Sequence, residues 1–386
     1  MNQIEVANTQ TSDVVIVGGG VIGLAIARAL SDRAVGRVTL LERTNPGTEA
    51  SWAAGGMLAV QAEADRADAF FDLAAASRDM YFDWAASLKE ETGVDIELDR
   101  NGTLYLAFSD EDEDAIERRF EWQTRAGLQV ERLTAGEVLR LEPAVSDNVR
   151  GGLRFPLDCQ VENRLLLAAL LSSLEKRGVD VRADTNVESL LEDKGKIAGV
   201  KTSRYSLHAP IVIVAGGAWT SFLTSADSRV PPIRIEPVRG QMLCFEGQAG
   251  SMRHVLYSPR GYVVPRINGR LLAGSTTEYA GFEKTVTGWG VQTIMSNAME
   301  IANSTIANAR FADAWAGLRP RAEDKLPVIG SCAEVDGLFY ATGHYRNGIL
   351  LAPVTADLIA QQIASGIAPA MLSAFSPDRF QPAGVV

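Results

Sequence analysis

The chain has 386 residues, with 46% hydrophobic and 22% charged residues and a formal net charge of −11 at pH 7; this describes a globular protein long enough for two cores. The acidity, with no run of Lys or Arg, excludes a nucleic-acid partner held on basic patches. Three scattered cysteines (Cys159, Cys244, Cys332) without a C-x-x-C pair, and only three histidines, exclude a disulfide framework and a metal centre.

The first 13 residues are polar and lack the basic start and apolar core of a signal peptide. The run Leu165–Leu174 reads as the longest apolar-rich helix, too short to span a membrane. A cytoplasmic protein with no membrane partner is expected.

From Val14 onward the chain reads as strand, glycine turn, helix, strand and acid. Val14–Val17 is an apolar run that meets Gly18-Gly19-Gly20-Val21-Ile22-Gly23, Leu24–Leu30 continues at helical spacing, and Val38–Leu41 leads into Glu42 and Arg43. In this setting Gly18 makes a tight turn, Gly20 admits a pyrophosphate and Gly23 lets the helix pack on the strand. The helix start at Val21 and Ile22 offers N–H groups and a positive dipole end to phosphates, and Glu42 is placed to accept from ribose hydroxyls. The fold class expected is α/β, with a Rossmann-type dinucleotide-binding domain.

Small residues follow around Ala50, Ser51 and Ala53–Met57, where a loop must pass close to something. Asp68–Glu91 reads as a long amphipathic helix and Glu111–Arg125 as a second. Thr134 with Glu137 forms a capping-box pattern that starts a third. Beyond Gly151, Asn163–Arg177 reads as a helix, and Val179–Val181, Val187–Leu191, Ile197–Thr202 and Leu207–Val214 as strands. The last of these ends at Ala215-Gly216-Gly217 in another glycine turn. Several alternating strands between Val238 and Thr276 suit an antiparallel sheet. Helix Trp289–Ala307, strand Leu338–Ala341, a turn at Thr342–Asn347 and helix Ile349–Ala364 close the chain. Nucleotide-type segments thus recur at the start, middle and end. They imply a discontinuous cofactor domain over 1–62, 147–225 and 317–386. A substrate domain with a mixed or antiparallel sheet and helices is expected over 63–146 and 226–316.

Three motifs carry a resemblance over nearly the whole chain: Ala53-Ala54-Gly55-Gly56-Met57, Gly317-Leu318-Arg319-Pro320 and Gly343-His344-Tyr345-Arg346-Asn347-Gly348-Ile349-Leu350-Leu351-Ala352-Pro353. With the opening turn they resemble the D-amino acid oxidase family of FAD-dependent amine oxidases, and most closely its bacterial glycine-oxidising branch, which serves thiamine thiazole synthesis. The resemblance implies non-covalent FAD. Gly55, Gly56 and Met57 would meet the ring edge, and Ala50, Ser51, Val161, Ala215 and Gly216 would contribute to the same site. The tail motif from His344 and Tyr345 through Asn347, Gly348, Ile349 and Leu350 would cradle the flavin, with the helix dipole facing its N1–C2=O edge.

By the same resemblance Arg319 and Tyr262 bind an amino acid carboxylate, a task suited to a planar guanidinium fork and a rigid phenol. Arg346 is placed on the flavin carbonyl, the substrate carboxylate or both. His344 is expected to contribute backbone rather than a base, because hydride leaves the α-carbon of a neutral amine. Glycine, sarcosine or small D-amino acids would be oxidised, with O2 reduced to hydrogen peroxide, and relatives often form tetramers. The alternatives are a D-amino acid dehydrogenase using a quinone, a tRNA-modifying FAD enzyme and a non-catalytic flavoprotein subunit. Two departures from the family pattern, Thr277 and Arg260, are expected to make the pocket more polar or roomier.

Overall fold

Val14–Val17 forms a strand in which all four side chains are buried, as in a strand covered on both faces. Val14 and Ile16 enter one core while Val15 and Val17 enter another, the twofold alternation of a pleated strand. The computed structural model describes residues 10–224 and 233–380. In it this strand lies within a six-stranded sheet ordered Val328–Ser331, Leu338–Thr342, Ile211–Val214, Val14–Val17, Val38–Leu41 and Asp180–Arg182. Only the first pair is antiparallel. Helices Val21–Asp32, Ala69–Thr92, Asn163–Lys176 and Gly348–Ser365 fill the core on one face. A four-stranded sheet, Gln10–Thr11, Ser206–His208, Lys196–Thr202 and Val187–Asp193, shares the core on the other.

A separate eight-stranded sheet runs Arg310–Ala322, Ile235–Glu246, Arg270–Gly274, Gly261–Pro265, Val255–Ser258, Thr103–Ala107, Gly151–Phe155 and Glu131–Thr134. Helix Gly288–Asn308 packs on it through Ile294, Ala298 and Ile301. The architecture is α/β with mixed sheets, as the sequence implies.

Local chemistry explains most element boundaries. The Asp68 carboxylate accepts from the N–H groups of Phe70 and Phe71, both at 3.0 Å, and starts helix Ala69–Thr92. Ser109 with Asp112, and Thr134 with Glu137, complete capping boxes. Two expectations need correction. The single strand expected over Leu207–Val214 is two strands in different sheets, Ser206–His208 and Ile211–Val214. Pro210 lies between them and has no N–H to continue a ladder. The longest apolar helix is also not Leu165–Leu174. Among the described residues Gly348–Ser365, 18 residues, is the one helix long and apolar enough to cross a membrane, and 67% of it is buried inside the protein.

That helix carries Pro353, which removes the donor for the carbonyl four residues earlier. Tyr81 resolves this by donating its hydroxyl to the Ile349 carbonyl, and Ser77 Oγ donates to Leu350 at 2.6 Å. The first turn of the helix is thereby fixed without an orphaned buried carbonyl. The polar start (residues 1–9) and the boundary expected between 225 and 226 lie outside the described residues.

Candidate active site

In the six-stranded sheet the strand order turns back between Val14–Val17 and Ile211–Val214. The crevice at the carboxyl ends of such strands is the usual ligand site of an open α/β sheet. A cavity of about 550 Å³ opens there and continues to the eight-stranded sheet.

Its floor is the glycine turn. Gly18 has φ +115°, and a Cβ on it would lie 2.3 Å from the Ala215 carbonyl oxygen; a Cβ on Gly23 would lie 2.0 Å from the Gly18 carbonyl. Gly20 borders the cavity as the N-cap of Val21–Asp32 and makes no side-chain cap. The Val21 N–H donates to Ser51 Oγ at 3.0 Å. The Glu42 carboxylate, also on the wall, accepts from the N–H groups of Gly19 at 2.8 Å and Thr44 at 3.0 Å. Arg43 pairs with Glu49 at 2.6 Å and lies 3.6 Å over the Trp219 ring.

A second cradle faces this one. Ala50, Ser51, Gly55, Gly56 and Met57 line it, with Ala215 and Gly216 alongside. Tyr345, at φ 48°, donates its N–H to the Pro320 carbonyl at 2.9 Å. Asn347, Gly348 and Ile349 bring the start of Gly348–Ser365 to the cavity, again without a side-chain cap. Two helix N-termini, close glycine backbone and an acid thus share one elongated space. This set fits the phosphates, ribose and ring edge of a flavin dinucleotide.

His344 also lines the space, but its imidazole is buried and, among the described residues, its one side-chain hydrogen bond is to Thr355 Oγ1, at 3.1 Å. Burial pushes its pKa down from 6.5 to about 3, so it is neutral at working pH. Because the folded value lies below the unfolded one, His344 adds stability above pH 6.5 that is lost as pH falls toward 3. His344→Gln therefore flattens the acid limb of stability, read as a smaller fall in urea midpoint between about pH 7 and pH 4.5. The acid limb of the activity profile, where an essential base would become protonated, stays in place; its disappearance would reveal a catalytic base.

At the other end Tyr262, Arg319 and Arg346 line the same cavity. Arg319 donates Nη1 to the Thr276 carbonyl at 3.1 Å and Nη2 to Ser275 Oγ at 2.6 Å. Burial lowers its pKa, and among the described residues no carboxylate forms an ion pair with it. A Cβ on Gly240 would fall 2.2 Å from its Nη1, so the guanidinium rests where only glycine leaves room. Tyr262 is buried, packs beside Gly55 and points its hydroxyl at Met242 Sδ, 3.3 Å away. Arg346 donates Nη2 to Glu63 at 3.0 Å and to the Tyr257 hydroxyl at 3.3 Å.

Three of the anticipated residues stand behind the wall. Gly23 packs on Gly18. The Val161 N–H donates to the Gly56 carbonyl at 2.9 Å, and Leu350 is engaged by Ser77. The expected effect of Arg260 and Thr277 on the pocket is corrected, because neither lines it. Arg260 turns away to Asp112 at 2.6 Å and Glu300 at 3.3 Å. The wall also contains residues not foreseen: Glu63, Thr185, Val187, Trp219 and Gly240.

A model of the FAD dependent oxidoreductase family, DAO, matches residues 13–362. The chain belongs to this family. Within it, the glycine oxidase of Geobacillus kaustophilus is 35% identical over 358 residues, covering 92% of this chain and 93% of that protein. A bifunctional ThiO/ThiG protein of Synechocystis is 34% identical over 96% of this chain. The chain spans about half of that relative, 54%. The crystal structure of the G. kaustophilus glycine oxidase superposes with a TM-score of 0.91 at 33% identity, covering 97% of this chain and 100% of that one. The family's cofactor is FAD, and the cavity has the shape and donors for it.

Proposed function

We propose that the chain oxidises glycine and other small amines, sarcosine and small D-amino acids among them, and supplies the imine used in thiamine thiazole synthesis. The observation that carries this reading is Arg319: a guanidinium on the cavity wall, oriented by Ser275 and Thr276 and, among the described residues, lacking a carboxylate of its own. Such a group is a receptor for a substrate carboxylate. The likeness to glycine oxidase over 92% of the chain supports the same substrate class.

FAD, when bound, supplies the hydride acceptor and hands electrons to O2, giving hydrogen peroxide. The residues of the chain bind and orient. Gly18, Gly20, Val21 and Ile22 would face the pyrophosphate, and Glu42 the ribose. Gly55 to Met57 and the start of helix Gly348–Ser365 would face the flavin ring. Arg319 would fix the substrate carboxylate and Tyr262 would wall the pocket beside it, so that one α-hydrogen faces the cofactor. Neutral His344 leaves no cationic imidazole to oppose a substrate amine. The imine then leaves or hydrolyses to the 2-oxo acid and ammonia, or methylamine where sarcosine is the substrate. The test is an oxygen-electrode assay with glycine, sarcosine and D-alanine, with peroxide and the released amine (ammonia, or methylamine from sarcosine) measured in parallel. Stoichiometric release of both products supports the reading; oxygen uptake with none of the three refutes it.

A further inference from the structure

Two guanidinium groups line the substrate end of the cavity, and they differ in their counter-ions. Arg319 contacts a hydroxyl and a carbonyl. Arg346 is held by Glu63 at 3.0 Å, and the carboxylate is its principal electrostatic partner, raising its pKa. Glu63 is itself fixed in place. It ends the one-turn helix Val60–Glu63, whose Gln61 and Ala62 N–H groups donate to the two oxygens of buried Asp158 at 2.9 and 3.1 Å. Arg119 clamps the same turn by donating to the Gln61 and Ala64 carbonyls. Arg346 also meets Tyr257, which stacks on Tyr262 with centroids 6.1 Å apart. The Glu63–Arg346 pair is therefore beside the carboxylate-binding end. Glu42 and Glu49, also on the wall, are engaged by Gly19 and Thr44 and by Arg43 and Lys284.

Among the described residues, the charges at this end sum to a single uncompensated cation, Arg319. We propose that Glu63 is a specificity-determining residue: by occupying Arg346 it limits the site to substrates with one carboxylate and disfavours amines that carry two. A second carboxylate would have to displace Glu63 from Arg346 and meet its negative charge, a like-charge contact in a half-buried site. This inference rests on the proposed oxidation of small amino acids and names the discrimination within that class.

The test uses the purified holoenzyme and its Glu63→Gln variant, which keeps the shape and removes the charge. Acetate and malonate are titrated against the flavin absorbance, and kcat/KM is compared for sarcosine and iminodiacetate. The wild type binds acetate at least as well as malonate. In the variant both ratios, malonate to acetate and iminodiacetate to sarcosine, move toward the dicarboxylate by about tenfold or more. Glu63→Asp, which restores the charge, returns them toward the wild type. Malonate binding about tenfold tighter than acetate in the wild type overturns the proposal even if the variant does not fold. So does a variant that weakens all ligands alike with unchanged ratios, or a wild-type flavin insensitive to both anions. If the wild type binds these anions but oxidises neither glycine nor sarcosine, the proposed function fails while the titration still decides the role of Glu63.

Discussion

Replacing Arg319 with leucine lowers kcat/KM for glycine by about a thousandfold, with FAD still bound. Truncating one member of a buried, hydrogen-bonded charge pair costs about 2–5 kcal/mol, and about 1.4 kcal/mol is a factor of ten. Leucine removes the charge and both donors that Thr276 and Ser275 now orient. Arg319→Lys keeps the charge but loses the planar fork, so it recovers only part of the loss. Gly240→Ala moves in the same direction without replacing the arginine, because its Cβ would fall 2.2 Å from the guanidinium and displace it. Steady-state kinetics beside the ratio of flavin to protein absorbance separates these outcomes. An Arg319→Leu enzyme within about threefold of wild type would remove Arg319 from substrate binding.

Gly18→Val yields protein without flavin. The backbone there is at φ +115°, which a β-branched residue rarely adopts, and the new Cβ would lie 2.3 Å from the Ala215 carbonyl. Neither neighbour can yield, because the strands Val14–Val17 and Ile211–Val214 are locked in parallel register across this point. A cofactor present at a thousand times its Kd contributes about 4 kcal/mol of stability. The variant therefore melts below the wild-type apoprotein, having lost the cofactor's contribution and gained backbone strain, and added FAD no longer raises its Tm. A yellow variant with a normal FAD-dependent Tm would mean that the glycine turn does not hold the dinucleotide.

What could be read from the sequence followed the range of the interactions. The opening βαβ unit depends on neighbours in sequence: apolar alternation, three glycines and an acid on the next strand, so its boundaries emerged within a residue or two. The capped helices at Asp68, Ser109 and Thr134 are local for the same reason. The tail motif was legible because its glycines and its helix start are contiguous. Direction was not. Arg260 stands two residues before Tyr262 yet faces Asp112, 148 positions away in the chain. Glu63 sits on a one-turn helix with no periodicity to announce it, and its partner is 283 residues distant. Thr185 and Val187 reach the cavity because the four-stranded sheet shares a core with the six-stranded one, a packing relation without a motif. Pro210 is visible in the sequence, but a proline alone does not say that the strands on either side of it enter different sheets.

In the proposed reaction a small amino acid, held at Arg319, reduces FAD bound in this cavity. An anaerobic absorbance spectrum of the purified yellow protein mixed with glycine tests it most directly. Bleaching of the band near about 450 nm, restored by air with peroxide formed, is the expected result. A flavin that stays oxidised with glycine, sarcosine and D-alanine alike would contradict it.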